Sequence, residues 1–202
     1  MNTILIMSSF RSIINDPRIN RQIQWLQPYG KIYTLNTSEG AVPGVHFLDC
    51  GIKEKPKWKK FWRYNLLALR QFDAFYWQAH HVQISWAKVR ILKPDLIIAN
   101  DVEAWPLAIR AQKQFGVKVV LDAHEFYTAE HEDLTWWRLL IQPYIDYICR
   151  QCLPKADHLI TVSGLLACYY EELYDVQSSI ILNTPFYEDI QVGHTNINKI
   201  RL

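Results

Sequence analysis

The sequence predicts an α/β fold, a parallel β-sheet with helices on both faces. Two segments carry that prediction: Pro94-Asp-Leu-Ile-Ile-Ala-Asn-Asp101 and Lys118-Val-Val-Leu-Asp-Ala-His-Glu-Phe-Tyr127. Each is a short apolar run that stops in polar, chemically able residues. Between them lies a helix-length stretch, Val102 to Phe115, closed by Gly116. That order is a βαβ unit. Strand and helix patterns continue to alternate along the rest of the chain, which calls for a parallel sheet covered on both faces with right-handed crossovers. Ligands in such sheets bind at the carboxyl ends of the strands. Asn100, Asp101, His124 and Glu125 stand at those ends and are the first candidates for a site.

The elements follow in order. Asn2 to Ser8 reads as a buried strand, and a polar loop runs to Asp16. Asp16-Pro17 has the form of an N-cap followed by proline at the first helical position. The helix continues towards Tyr29 with Ile19, Ile23 and Leu26 on one face, and Gly30 is its stop. Lys31 to Leu35 and Val45 to Leu48 are short strands. Lys57 to about Leu92 is helical with one break near Ala79. Asp95 to Ala99, Val117 to Leu121, His158 to Val162 and Ile180 to Leu182 are strands. Helices are expected over Val102 to Phe115, about Leu134 to Cys152, and Gly164 to Tyr174. The stretch Thr184 to Asn198 is polar and turn-rich, like a linker. It is either an ordinary tail or the lead into a second domain.

Bulk properties narrow the class. The chain has 202 residues, half of them hydrophobic, enough for one domain with a sizeable core. Its net charge of +2 argues against a nucleic-acid partner. No run reaches the apolar length of a membrane span. The start, Met1 to Met7, lacks a charged leader and a cleavage site and reads as a strand. Cys50, Cys149, Cys152 and Cys168 are expected to be reduced thiols of a cytoplasmic protein. Cys149 and Cys152 have Cys-x-x-Cys spacing but sit late in a helix with no second pair, so packing is their expected role. His80-His81 has no ligand partner at metal spacing.

Lys53-Glu-Lys-Pro-Lys-Trp-Lys-Lys-Phe-Trp-Arg-Tyr64 carries six positive charges, one negative charge and four aromatic rings. A helix with Lys57, Lys59, Lys60 and Arg63 on its polar side and Trp58 and Trp62 among its apolar residues suits an anionic membrane interface. The same pattern also suits a surface helix that packs its rings inward. Ser163, between a strand and a helix, is an expected N-cap.

Four segments resemble one family. Asp16-Pro-Arg-Ile-Asn-Arg21 is similar to the Asp-Pro-Arg-Val signature of family 4-type glycosyltransferases. Leu121-Asp-Ala-His-Glu-Phe126 resembles their Asp-Ser-His-Glu segment. Lys155-Ala-Asp-His-Leu-Ile-Thr-Val-Ser163 resembles their Ala-Asp-x-Ile-Thr-Val-Ser strand, and Ile181-Leu-Asn-Thr-Pro185 their Asn-x-Pro. The resemblance implies a GT-B enzyme, two Rossmann-like domains with the active site in the cleft between them. Residues 1–183 would be the N-terminal, acceptor-binding half. Residues 184–202 would be the linker and the start of the donor domain, since Lys199 to Leu202 resembles its first strand. The donor half typically holds the nucleotide-sugar through a Glu-x7-Glu signature, which is not seen in these residues.

The implied reaction is retaining, metal-independent and free of cofactors. A nucleoside-diphosphate sugar is the donor, and a hydroxyl of a glycan or lipid-linked acceptor receives the sugar. Polysaccharide or lipid-linked glycan assembly, on the inner face of the plasma membrane, is the expected setting. The alternative is a non-catalytic half of a split transferase that binds acceptor or membrane and recruits a donor-binding partner chain.

The resemblance places His124 in the cleft near the donor sugar. A neutral imidazole there offers one hydrogen-bond donor and one acceptor. Glu125 would orient an acceptor hydroxyl or cap the next helix. Asn100 and Asp101 would bond acceptor hydroxyls, with Asp101 also an N-cap candidate. Arg11, in a loop without glycine, would supply charge to an anion or simply be solvated. Ser163 completes the substrate-binding set. Arg18 reads as structural.

Overall fold

A computed structural model describes residues 2–8, 16–36, 42–51 and 57–184, and for 57–62 the backbone alone. Among the described residues, seven strands form one sheet in the order β3-β2-β1-β4-β5-β6-β7, every neighbouring pair parallel. They are β1 (Asn2–Met7), β2 (Gly30–Asn36), β3 (Val45–Asp49), β4 (Leu96–Asn100), β5 (Lys118–Ala123), β6 (His158–Thr161) and β7 (Ser179–Ile180). The chain builds outward from β1 to β3, then returns to the far side of β1 and builds outward again. The direction of winding therefore reverses between β1 and β4, which is where ligands bind in open parallel sheets. The residues that follow those two strands are Ser8 and Asp101.

Alternation along the strands sends successive side chains to opposite faces. In β1, Ile4 and Ile6 pack with Ile32 and with Ile19 and Ile23 of α1 (Pro17–Leu26). Leu5 and Met7 join a larger core on the opposite face. That core is completed by α4 (His80–Leu92), α5 (Trp105–Phe115), α7 (Gln142–Cys152) and α8 (Gly164–Tyr174). Helices thus cover both faces, as the sequence predicts. Cys149 and Cys152 are buried in this larger core, where burial pushes the Cys152 thiol up to about 12.

Gly116 ends α5 in the left-handed conformation, with its N–H on the Gln112 carbonyl. Gly30 opens β2, and a Cβ there would strike the Asn2 carbonyl of the paired strand.

Three expected helices are broken differently. The stretch from Lys57 to Leu92 divides twice, into α2 (Lys57–Ala68), α3 (Phe72–Trp77) and α4. The first break is a Schellman closure: the Arg70 and Gln71 N–H groups return to the Leu67 and Leu66 carbonyls, with Arg70 at φ 54°. Glycine or asparagine usually marks that position, so an arginine hides it. The helix expected over Leu134 to Cys152 splits into α6 (Thr135–Leu140) and α7, because Pro143 in the first turn of α7 has no N–H to continue the ladder. The stretch from Val102 opens as a 3₁₀ turn, Val102–Ala104, before α5 begins. Arg11, Lys53, Lys55, Pro185 and the stretch 185–202, including the expected strand start at Lys199, lie outside the described residues.

Candidate functional site

The site begins with the first turn of α1. Asp16 caps it, its carboxylate accepting from the Arg18 and Ile19 N–H groups at 2.9 and 3.1 Å. This holds Arg18 at the sheet, where it is 8% exposed. Its guanidinium meets Asp122 of β5 at two points, Nε to Oδ2 at 2.6 Å and Nη2 to Oδ1 at 2.8 Å. One turn later, Gln22 donates Nε2 to Asp122 Oδ2 at 2.8 Å and to Asn100 Oδ1 at 2.9 Å. Asn100 answers through Nδ2, donating to Gln22 Oε1 at 3.0 Å and to the Met7 carbonyl at 3.3 Å. Four elements, β1, β4, β5 and α1, are locked together by these bonds.

Asn100 therefore has a different place from the one expected. It is 1% exposed and its amide is bonded within the protein, so it braces the strand ends and does not face an acceptor. Asp101 also departs from expectation. At φ 64° and ψ 143° it makes no side-chain cap, and its carboxylate turns across the strand ends instead. Asp101 Oδ2 accepts from Ser8 Oγ at 2.6 Å. Asp101 Oδ1 stands 3.5 Å from His124 Nε2 and 3.5 Å from the Tyr127 hydroxyl.

His124 thus sits between two carboxylates. Its Nδ1 lies 3.6 Å from Asp122 Oδ1, is buried, and has no hydrogen-bond partner among the described residues. Burial disfavours the imidazolium, but the Asp122 carboxylate and then Asp101 outweigh it and raise the pKa above the ordinary histidine value. Burial likewise pushes the Asp122 carboxyl up, yet His124 and Arg18 reverse this and hold it below the ordinary value. Tyr127 meets His124 edge-on, with ring centroids 6.1 Å apart, and its phenol is pushed well up by burial and by Asp101.

Asp101, His124 and Tyr127 face a cavity of about 340 Å³ that Glu103, Glu125, Glu130, His131 and Trp137 also line. A larger cavity, about 510 Å³, opens around Trp77, Arg110 and Lys113 and contains none of the strand-end residues. Glu125 is exposed at the mouth, and its carbonyl accepts from the Tyr170 hydroxyl of α8 at 2.8 Å. Its neighbours start no helix, so it has no helix to cap.

The comparisons with known proteins agree with this fold. The family model for Glycosyltransferase Family 4 matches residues 61–183, more than half of the chain. The chain belongs to that family. Comparison with curated proteins finds no significant match. Among solved structures, a sucrose-phosphate synthase from Thermosynechococcus elongatus aligns at TM-score 0.63 and 13% identity, over 90% of this chain and 48% of that one. The lipopolysaccharide outer core galactosyltransferase WaaB aligns at 0.59 and 13%, over 98% and 50%. Anabaena Alr3699/HepE, in complex with UDP and glucose, aligns at 0.54 and 15%, over 91% and 45%. The chain spans about half the length of each of these structures. At these identities the likeness concerns the fold, which is the Rossmann-like α/β fold of one GT-B half.

The remaining candidates of this family 4 chain are placed as follows. Ser163 caps α8, its hydroxyl accepting from the Leu166 N–H at 3.3 Å, at the same end of the sheet as His124. Arg63 is half-buried, contrary to its expected place on a membrane face. Its Nε donates to the Phe75 carbonyl at 3.2 Å, its guanidinium carbon lies 4.2 Å from the Phe75 ring centre, and burial lowers its pKa. The side chains of Lys57, Trp58, Lys59, Lys60 and Trp62 lie outside the described residues, though their backbone is helical. No described helix is long and apolar enough to cross a membrane.

Sequence alone does not reach Asp122, Gln22 or Tyr127, and it leaves Arg18 as structural without its partner Asp122. A signal existed for part of this: an aspartate among the apolar residues of β5, and Arg18 and Gln22 one helical turn apart. Their meeting across the sheet had no local mark.

Proposed function

We propose that this chain is the acceptor-side half of a retaining glycosyltransferase that draws on a nucleoside-diphosphate sugar. The observation that carries this reading is the position of His124, between Asp101 and Asp122 at the reversal point of the sheet, facing a cavity. An acceptor hydroxyl entering that cavity would be oriented by the carboxylate of Asp101 and by His124 Nε2. Its oxygen would attack the anomeric carbon of the donor sugar as the nucleoside diphosphate leaves, and the hydroxyl proton would pass to the departing phosphate. The contribution of these residues is orientation and electrostatic stabilisation. Glu125, at the mouth, is the residue placed to meet the outer part of the acceptor.

The acceptor is a glycan or a lipid-linked glycan, and the basic aromatic helix α2 brings the protein to the anionic surface that carries it. The donor is held mainly by a second GT-B half, in the same polypeptide or in a partner chain.

The test uses the protein as its native gene encodes it. Nucleoside diphosphate released from nucleotide sugars is measured with and without membrane-extracted acceptor. Acceptor-dependent release that falls roughly 100-fold in His124→Ala supports the reading. Equal release by wild type and variant overturns it. An intact mass near twice 23.9 kDa places the donor half in cis.

A further inference from the structure

The arrangement around β5 contains more than a histidine at a cleft. We propose that Asp122, clamped by Arg18 and Gln22, is a positioning residue that holds the His124 imidazole with its proton on Nδ1 and Nε2 turned to the cavity. The catalytic consequence rests on the function proposed above; the structural claim does not.

The argument is a count of acceptor sites. A carboxylate has two oxygens and about four lone-pair sites. Asp122 Oδ2 takes two donors, Arg18 Nε and Gln22 Nε2. Oδ1 takes one, Arg18 Nη2. One site on Oδ1 is therefore left among the described residues, and Oδ1 is the oxygen that faces His124 Nδ1 at 3.6 Å. That nitrogen is buried and has no hydrogen-bond partner among the described residues. A buried ring nitrogen opposite a carboxylate is favourable as a donor and unfavourable as a second acceptor. The proton therefore belongs on Nδ1, with Asp122 Oδ1 3.6 Å away.

The carboxylate itself is fixed from the far side. Arg18 grips it at two points from α1, and Gln22 ties it to Asn100 and so to β1 and β4. His124 then has little freedom to turn over. Nε2 is directed to the cavity, 3.5 Å from Asp101 Oδ1. In the neutral ring, Nε2 is then the acceptor atom that an incoming acceptor hydroxyl would meet. The charged or titratable groups facing the ring are Asp122 from β5, Asp101 from the end of β4, Arg18 from α1 behind Asp122, and Tyr127 from the following loop. The first two favour the imidazolium, so the ring also holds a second proton further into the neutral range than an ordinary histidine.

The experiment is ¹⁵N-edited imidazole NMR on the full chain, with His124→Gln to assign the signal. No nucleotide sugar is needed. The expected wild-type result is the Nδ1–H tautomer in the neutral form, with a pKa above the ordinary value. Asp122→Asn is expected to lower that pKa and mix the tautomers, while Asp101→Asn lowers the pKa and leaves Nδ1 protonated. Because Asp122→Asn strands a buried guanidinium, the double variant Arg18→Gln/Asp122→Asn is measured alongside it, with the same expectation. An Nε2–H tautomer in the wild type overturns the proposal. So does a His124 pKa that is the same with and without the Asp122 carboxylate. A correct tautomer in a protein that transfers no sugar would sink the proposed function and leave this assignment standing.

Discussion

Arg18 and Asp122, 104 residues apart in sequence, form a two-point ion pair that is almost wholly withdrawn from water. A paired charge removed from water is tolerated, whereas a lone one is not. Arg18→Met should therefore destabilise the fold by about 3–5 kcal/mol, because it abandons a carboxylate with no exposure. Arg18→Met/Asp122→Asn should recover part of that loss. Urea unfolding measures both, and equal midpoints for Arg18→Met and wild type would refute the pairing as a stabilising element. The acid limb adds a sign. The folded pKa of Asp122 is depressed, so its contribution is present above the ordinary carboxylate value and disappears as pH falls through the folded one. The gap between wild type and Arg18→Met should be widest near neutrality and shrink in acid.

His124 has the opposite dependence. Its folded pKa is raised, so its contribution to stability is complete below the unfolded value of about 6.5 and is lost as pH rises through the folded value. Wild-type stability should decline across that interval. His124→Gln, which has no titrating ring, should lack that decline while keeping the part of the Asp122 acid limb that Arg18 supports. Unfolding midpoints taken from below pH 6 to above pH 8 show the difference, and parallel curves for the two proteins would contradict it.

The parts of this architecture that are local in sequence were legible. Apolar runs ending in polar residues located all seven described strands to within about two residues, and Pro17 marked the start of α1 and Gly116 the end of α5, whereas α1 ends at Leu26 and a 3₁₀ turn over Gln27–Tyr29 separates it from its expected stop, Gly30. His124, Asp101 and Ser163 are readable as candidates because they follow strands. What escaped detection depends on three dimensions or on unusual backbone. Arg70 ends α2 at a positive φ that its residue type does not advertise. Asp101 fits a capping or a ligand role in sequence and Asn100 a ligand role, and only the meeting of Asn100 with Gln22 shows that it is a brace. Arg63 belongs to a basic aromatic run whose charge suggests exposure, while Phe75 draws it inward.

Tyr170 offers a separate test of how the turn carrying His124 and Glu125 is held. It is 1% exposed, and its hydroxyl reaches from α8 to the Glu125 carbonyl at 2.8 Å. Tyr170→Phe keeps the packed ring and strands the carbonyl, which should cost about 1–3 kcal/mol in urea unfolding. It should also broaden the His124 imidazole signals as the turn loosens. Unchanged stability together with unchanged imidazole lines would mean that α8 does not brace the turn.

The basic aromatic helix α2 calls for a test that separates membrane attraction from folding. Each basic residue near an anionic surface contributes about 1 kcal/mol to binding. Lys57→Gln/Lys59→Gln/Lys60→Gln should therefore weaken partitioning onto phosphatidylserine-containing vesicles roughly 100-fold, with little binding to neutral vesicles in either protein. Arg63 is left out of that set on structural grounds. It is half-buried against Phe75, so Arg63→Gln should lower the unfolding midpoint and leave partitioning of the folded protein nearly unchanged. Salt distinguishes the two effects further, because screening at high ionic strength should abolish wild-type vesicle binding and leave the Arg63 packing contribution in place. Equal partitioning by wild type and the triple variant would remove the membrane role of α2, and its rings and lysines would then belong to an ordinary surface helix.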